Sequence, residues 1–130
     1  MDIFGNGVDI IENLRIKQSI KNKKFITRIF SDEEIKDSKK IKNKVNFYAK
    51  RFAAKEAFVK SLGSGFRSGI NFRDISVKNT LLGKPEIILN KKLKSLIKKK
   101  FNLKKFKIFL SLADEDKYSI AYVILNQVKK

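Results

Sequence analysis

Two carboxylates stand where acids are costly. Asp9 lies in the apolar run Val8-Asp9-Ile10-Ile11, and Glu56 falls at helical spacing with Val45, Tyr48, Ala49, Phe52 and Val59. A carboxylate in such surroundings has to be paired, hydrogen-bonded or bound to a metal. Two of them meeting in a core repel unless a divalent cation sits between them. Two carboxylates completed by water and phosphate oxygens is the usual protein share of a Mg²⁺ site. The spacing also allows a plainer arrangement, in which Asp9 caps a turn and Glu56 pairs with Lys60, since Glu four residues before Lys is the favoured helical order.

Composition narrows the chemistry further. The chain has no Cys and no His, which excludes disulfides, thiolate or imidazole metal ligands, Cys nucleophiles and imidazole bases. Any metal must be held by oxygen, which points to Mg²⁺ or Ca²⁺. A length of 130 residues with 42% hydrophobic and 11% aromatic content suits one domain, residues 1–130, built on one core. No apolar run approaches the ~20 residues needed to span a bilayer, and Met1-Asp2-Ile3-Phe4 resembles neither a signal peptide nor a transit sequence. The expectation is a soluble, cytoplasmic protein.

The elements that must position Asp9 and Glu56 follow from pattern. Residues 2–12 read as a strand in which Gly5 and Gly7 let the backbone approach something closely. From Asn13 to about Ile29 the pattern is helical and basic. Ser31 stands three residues before Glu34, the capping-box spacing, and opens a short helix through Lys39. A longer helix runs from Lys44 to Leu62 and closes at Gly63, with Arg51, Lys55 and Lys60 lying off its apolar stripe. Phe72 to Lys78 and Glu86 to Leu89 read as strands around the turn Leu82-Gly83-Lys84-Pro85. Lys91 to Lys107 is a basic amphipathic helix running into a strand, and Phe106 to Ala113 with Tyr118 to Leu125 form a hairpin about Asp114-Glu115-Asp116. Strands and helices mix without regular alternation, so the class is α+β, with antiparallel strands packed on a long central helix.

The net charge of +18 and pI near 10.1 favour acidic partners. Lys, Ile and Asn are abundant together, so part of this surplus reads as composition. The helix from Lys91 could meet nucleic acid or a membrane surface, with Phe101, Phe106 or Phe109 stacking on bases. Those Phe residues follow the apolar period, which favours a core role. No helix-turn-helix, aromatic RNA-binding or zinc signature is present, and the loop Ser61 to Ser68 lacks phosphate-loop spacing. Neither nucleic acid nor membrane is the expected partner.

A more specific signal covers essentially the full chain. Gly5-Asn6-Gly7-Val8-Asp9-Ile10 followed by Arg15-Ile16 resembles the N-terminal signature of bacterial holo-[acyl carrier protein] synthases, of the 4′-phosphopantetheinyl transferase superfamily. Ala49 to Lys60, reading AKRFAAKEAFVK, and the following Gly63-Ser64-Gly65 are similar to that family's central motif almost letter for letter. Asn79 with Gly83-Lys84-Pro85, and Ser111-Leu112-Ala113-Asp114-Glu115 with Tyr118, resemble its third and fourth blocks.

The resemblance implies the phosphopantetheinyl transferase fold and an enzyme that moves the 4′-phosphopantetheine arm of coenzyme A onto a serine of apo acyl carrier protein. Adenosine 3′,5′-bisphosphate would be released, and the reaction would serve fatty acid biosynthesis. It further implies that Asp9 and Glu56 hold Mg²⁺, that Lys60 contacts the pyrophosphate and that Arg51 lies near the 3′-phosphate. Ser64, Gly65, Lys84, Pro85 and Ser111 are expected at coenzyme A. Arg15 matches the carrier-docking helix, with Lys21, Lys23, Lys24 and Arg28 in the same region. Many family members carry a His where this chain has Asp114, which leaves the 3′-phosphate to Arg51 and nearby Lys. With no imidazole, the serine proton would go to Glu56 or a water it holds. The family's active site lies between protomers of a homotrimer, so Asp114, Ser111 and Lys84 would meet Glu56 across an interface.

Overall fold

The computed structural model describes residues 2–63 and 70–128. Along the chain run β1 (Asp2–Glu12), α1 (Asn13–Ser19), α2 (Lys23–Ile29), α3 (Asp32–Ser38), α4 (Lys44–Ser61), a 3₁₀ turn (Phe72–Asp74), β2 (Ile75–Asn79), β3 (Pro85–Leu89), α5 (Lys91–Lys100), β4 (Lys105–Asp114) and β5 (Tyr118–Val128). β1, β5 and β4 form a three-stranded sheet in that order, and β2 pairs with β3. All pairs are antiparallel. The α+β expectation holds, with the sheet packed on α4.

Local chemistry explains where α4 starts and stops. The Asn43 side chain accepts the Asn46 backbone N–H at 3.1 Å, capping the first turn. Past Leu62 the chain turns at Gly63, whose φ of +104° a side chain would strain. Ala49, Ala53, Ala54 and Ala57 are fully buried, and these small residues let β1, β5 and β2 approach the helix axis. Arg51 and Lys55, expected off the apolar stripe, are buried too, at 6% and 0% exposure. The helix is enclosed on most of its circumference, so one-sided amphipathicity is the wrong template for it.

β1 also departs from the sequence reading. Val8 and Ile10 are 53% and 60% exposed, because alternation sends them to the outer face of the sheet. Asp9 points the other way, toward α4. Residues 72–74, expected to begin a strand, form a 3₁₀ turn because the Asn71 side chain accepts the Arg73 N–H at 3.0 Å. In α3 the capping box is complete: Glu34 N–H donates to Ser31 Oγ at 3.2 Å and Ser31 N–H to Glu34 Oε1 at 3.0 Å.

Helix α5 opens on Asn90, whose side chain accepts the Leu93 N–H at 2.9 Å. Leu93 and Ile97 are buried, so its apolar stripe is used up by packing and is not free to lie on a bilayer. Phe101 and Phe106 are partly buried against the core, whereas Phe109 is 44% exposed. Among the described residues no helix is long and apolar enough to cross a membrane.

Candidate active site

The site begins with two glycines. A Cβ on Gly5 would lie 2.0 Å from the Ser61 carbonyl oxygen, and one on Gly7 would lie 2.0 Å from that of Ala57. β1 therefore runs against bare α4 backbone, and only Gly fits there. Two residues along β1 advance the contact by four residues, one turn, back along α4. The match is physical: two strand residues rise about 6.6 Å and four helical residues about 6 Å. Asp9, two residues past Gly7 on the same face, falls beside the turn that carries Glu56.

Lys60 closes the group. Its Nζ donates to Asp9 Oδ1 at 3.2 Å and to the Val8 carbonyl at 3.0 Å. Asp9 keeps 17% of its side chain accessible and Lys60 49%, so the pair opens to solvent at the sheet edge. The spacing had offered Lys60 to Glu56; the structure shows it in an ion pair with Asp9. Glu56, half-buried, is the next acid on that side of α4. Asp9 and Lys60 are thus brought together by the crossing of β1 and α4, with Glu56 one turn before Lys60 on the helix.

This donor set suits a hard cation that keeps its water. Among the described residues no cluster of three or more His, Cys, Asp or Glu could hold a metal alone. Two carboxylates of this kind fit Mg²⁺, which takes one or two protein carboxylates and fills its octahedron with water and phosphate oxygens.

Other expected residues lie apart. Arg51 is folded inward, with its guanidinium 3.6 Å from the Phe47 ring centroid and Nη1 donating to the Phe47 carbonyl at 3.3 Å. Burial lowers its pKa, while Glu34 and Asp37 oppose the shift. Arg51 Nε has no hydrogen-bond partner among the described residues. Lys84 and Pro85 stand at the β2–β3 turn beside Leu81 and Leu82, both essentially fully exposed. Ser111 pairs with Tyr122, which pairs with Val8, so it sits on the outer face of the sheet, opposite Asp9. Ser64 and Gly65 lie outside the described residues. Asp114 is bound within its own chain, to Asn46 Nδ2 at 2.8 Å and Lys50 at 3.5 Å.

The docking segment has a shape of its own. Arg15, Gln18, Ser19, Asn22 and Phe25 line an open groove of about 430 Å³. Lys21, Lys24 and Arg28 are exposed on the same helical stretch. Asn13, which sequence reasoning passed over, anchors this stretch: its Nδ2 donates to the Glu115 and Asp116 carbonyls at 2.8 and 3.1 Å, and Ser119 Oγ donates to its Oδ1 at 2.7 Å. A buried Asn with every polar atom satisfied fixes the start of α1 to the β4–β5 turn.

Sequence reasoning also missed the buried pair Glu34–Lys55, 2.7 Å apart with both side chains inaccessible. Burial lowers the Lys55 pKa, and Glu34 is the first group opposing the shift. The only sequence signal was Glu34's place in the capping box, which explained that acid and so concealed its second partner.

Comparison with known proteins identifies the family. Residues 5–123 match the model of the 4′-phosphopantetheinyl transferase superfamily. The chain is 56% identical over 127 residues to a holo-[acyl-carrier-protein] synthase of Pelagibacter ubique, covering 98% of this chain and 99% of that protein. Its structure is similar to the synthase crystal structure from Neisseria meningitidis, with a TM-score of 0.86 and 35% identity over 96% of this chain and 99% of that one. It is also similar to the Bacillus anthracis synthase in complex with CoA (3′,5′-ADP), with a TM-score of 0.81 and 32% identity over 98% and 100% of the two chains. The chain belongs to the 4′-phosphopantetheinyl transferase superfamily, in the group of the holo-[acyl-carrier-protein] synthases.

Proposed function

We infer that this protein transfers the 4′-phosphopantetheine arm of coenzyme A to a serine of apo acyl carrier protein, as one phosphopantetheinyl transferase domain spanning residues 1–130. The observation that carries this is the Asp9–Lys60 pair formed where glycines bring β1 onto α4, one helical turn from Glu56. In the reaction a bond forms between the serine oxygen and the phosphorus that bears the pantetheine arm. The bridging P–O bond of the pyrophosphate breaks, and adenosine 3′,5′-bisphosphate leaves with the electron pair. Such a transfer asks a protein for charge neutralisation and alignment more than covalent chemistry.

Each residue then has a task. Asp9 and Glu56 would hold Mg²⁺, which when bound neutralises pyrophosphate oxygens and aligns the leaving group. Lys60 has its Nζ at the same edge and can swing from Asp9 to a phosphate oxygen. Glu56, or a water it holds, is the acceptor for the serine proton. Arg15, Lys21, Lys24 and Arg28 present cations around an open groove, which suits an acidic carrier.

A second copy completes the picture. Val8, Ile10, Phe109, Tyr118, Ile120 and Tyr122 are all exposed on one sheet face, an apolar patch that a soluble monomer would rarely leave open. Ser111 shares that face. Packing of this face in a homotrimer would carry Ser111 of one protomer toward the Asp9 edge of the next. The reading carries with it a cytoplasmic enzyme of fatty acid biosynthesis.

The test is to incubate the protein with apo carrier, coenzyme A and Mg²⁺ and weigh the carrier. A gain of one phosphopantetheine arm that a chelator abolishes and Mg²⁺ restores is expected. An unchanged carrier mass with folded protein would overturn the function, and a gain unaffected by chelation would overturn the metal assignment.

A further inference from the structure

The Glu34–Lys55 pair has no place in the chemistry above, yet it is the most fully satisfied polar group in the core. Lys55 Nζ donates to Glu34 Oε1 at 2.7 Å, to the Phe72 carbonyl at 2.8 Å and to the Ile75 carbonyl. An ammonium has three hydrogens, and all three are used. Glu34 accepts the Ser31 N–H on Oε1 at 3.0 Å and the Val77 N–H on Oε2 at 3.0 Å. Two side chains thus join α4, α3, the 3₁₀ turn and β2.

Stability alone does not account for such a pair, because apolar residues of similar volume commonly hold a core as well or better. Its geometry suggests another use. Lys55 and Glu56 are consecutive, so their side chains leave the helix about 100° apart. A charge-assisted anchor at Lys55 fixes the rotation of α4 about its own axis, and with it the direction in which Glu56 projects. On the β1 side Gly5 and Gly7 set the distance of the helix, and the Asp9–Lys60 tie there is open to solvent.

We propose that Glu34 and Lys55 are positioning residues that set the rotation of α4, so that Glu56 is presented toward the Asp9 edge. This rests on the transferase reading and deepens it. Neither residue touches substrate. Their effect reaches the reaction through Glu56.

The experiment replaces the pair by apolar residues of similar size, Glu34→Leu with Lys55→Met. The double variant should fold and melt cooperatively. It should bind Mn²⁺ more weakly by about tenfold, as supporting residues behind metal ligands typically do, measured by electron paramagnetic resonance without carrier. Its KM for coenzyme A should rise and its kcat fall. Wild-type Mn²⁺ affinity with wild-type KM and kcat in the folded double variant overturns the proposal. If that variant does not fold, Glu34→Gln decides: it keeps an acceptor for Lys55 and Ser31 but turns an NH₂ toward the Val77 N–H. A weakened Mn²⁺ affinity and raised KM support positioning, and unchanged values overturn it. Failure of the wild-type protein to modify carrier would sink the transferase reading instead, while the Mn²⁺ measurement would still judge the pair.

Discussion

Lys60 separates two jobs that lysines do on α4. It is half exposed and pairs with an accessible Asp9, an arrangement that contributes about 0–1 kcal/mol to folding. Lys55, five residues earlier, is wholly buried. Lys60→Ala should therefore leave thermal unfolding nearly unchanged while lowering kcat for carrier modification by about 10²-fold, the scale for removing one charge stabiliser at a reacting centre. Parallel melting curves and initial rates check this, and a large loss of melting temperature with intact kcat would reverse the assignment. Asp9 and Glu56 stood out in the sequence because acids are unusual on apolar elements, whereas Lys60 drew notice only as the helical partner of Glu56 and through the family motif. Lys55 and Arg51 were not, since a cation off a helix's apolar stripe reads as solvated until tertiary packing encloses the other side.

At the scale of elements, the crossing of β1 over α4 decides whether a site exists. The sequence announced a close approach at Gly5 and Gly7 but could not say to what, because the partner lies some fifty residues away on the helix. Gly7→Ala places a methyl 2.0 Å from the Ala57 carbonyl oxygen, and backbone on both sides must give way. Overpacking of this kind costs about 1–3 kcal/mol or more. Denaturant unfolding should show that loss together with reduced transfer activity, as Asp9 is pushed away from α4; wild-type stability would mean the crossing is loose. Several boundaries were readable from caps and turns: Ser31, Gly63 and Gly83 each mark a real one. The start of β2 was misread because an Asn71 turn outweighed alternation, and Asn13 was missed because its partners are more than a hundred residues distant.

For the whole molecule, the surplus of lysines divides by location. The basic stretch from Arg15 to Arg28 borders the groove, whereas α5 spends its apolar side on the core and holds its lysines outward. The exposed sheet face is a sharper feature, because its residues are apolar and in register across three strands. Tyr122→Asp would put a charge at the centre of that patch; under the proposed homotrimer, sedimentation velocity should show the wild type as a trimer and the variant as a smaller species with lower activity. A variant that stays at wild-type mass would remove the face from the interface. None of this was visible in composition, which reports how many apolar residues there are and not which face keeps them. The most direct test remains chemical: weigh apo carrier after incubation with coenzyme A, Mg²⁺ and either the wild-type protein, Asp9→Asn or Glu56→Gln. The expected result is a full phosphopantetheine gain with the wild type and none with either folded variant; a gain with Glu56→Gln at the wild-type rate would contradict the site.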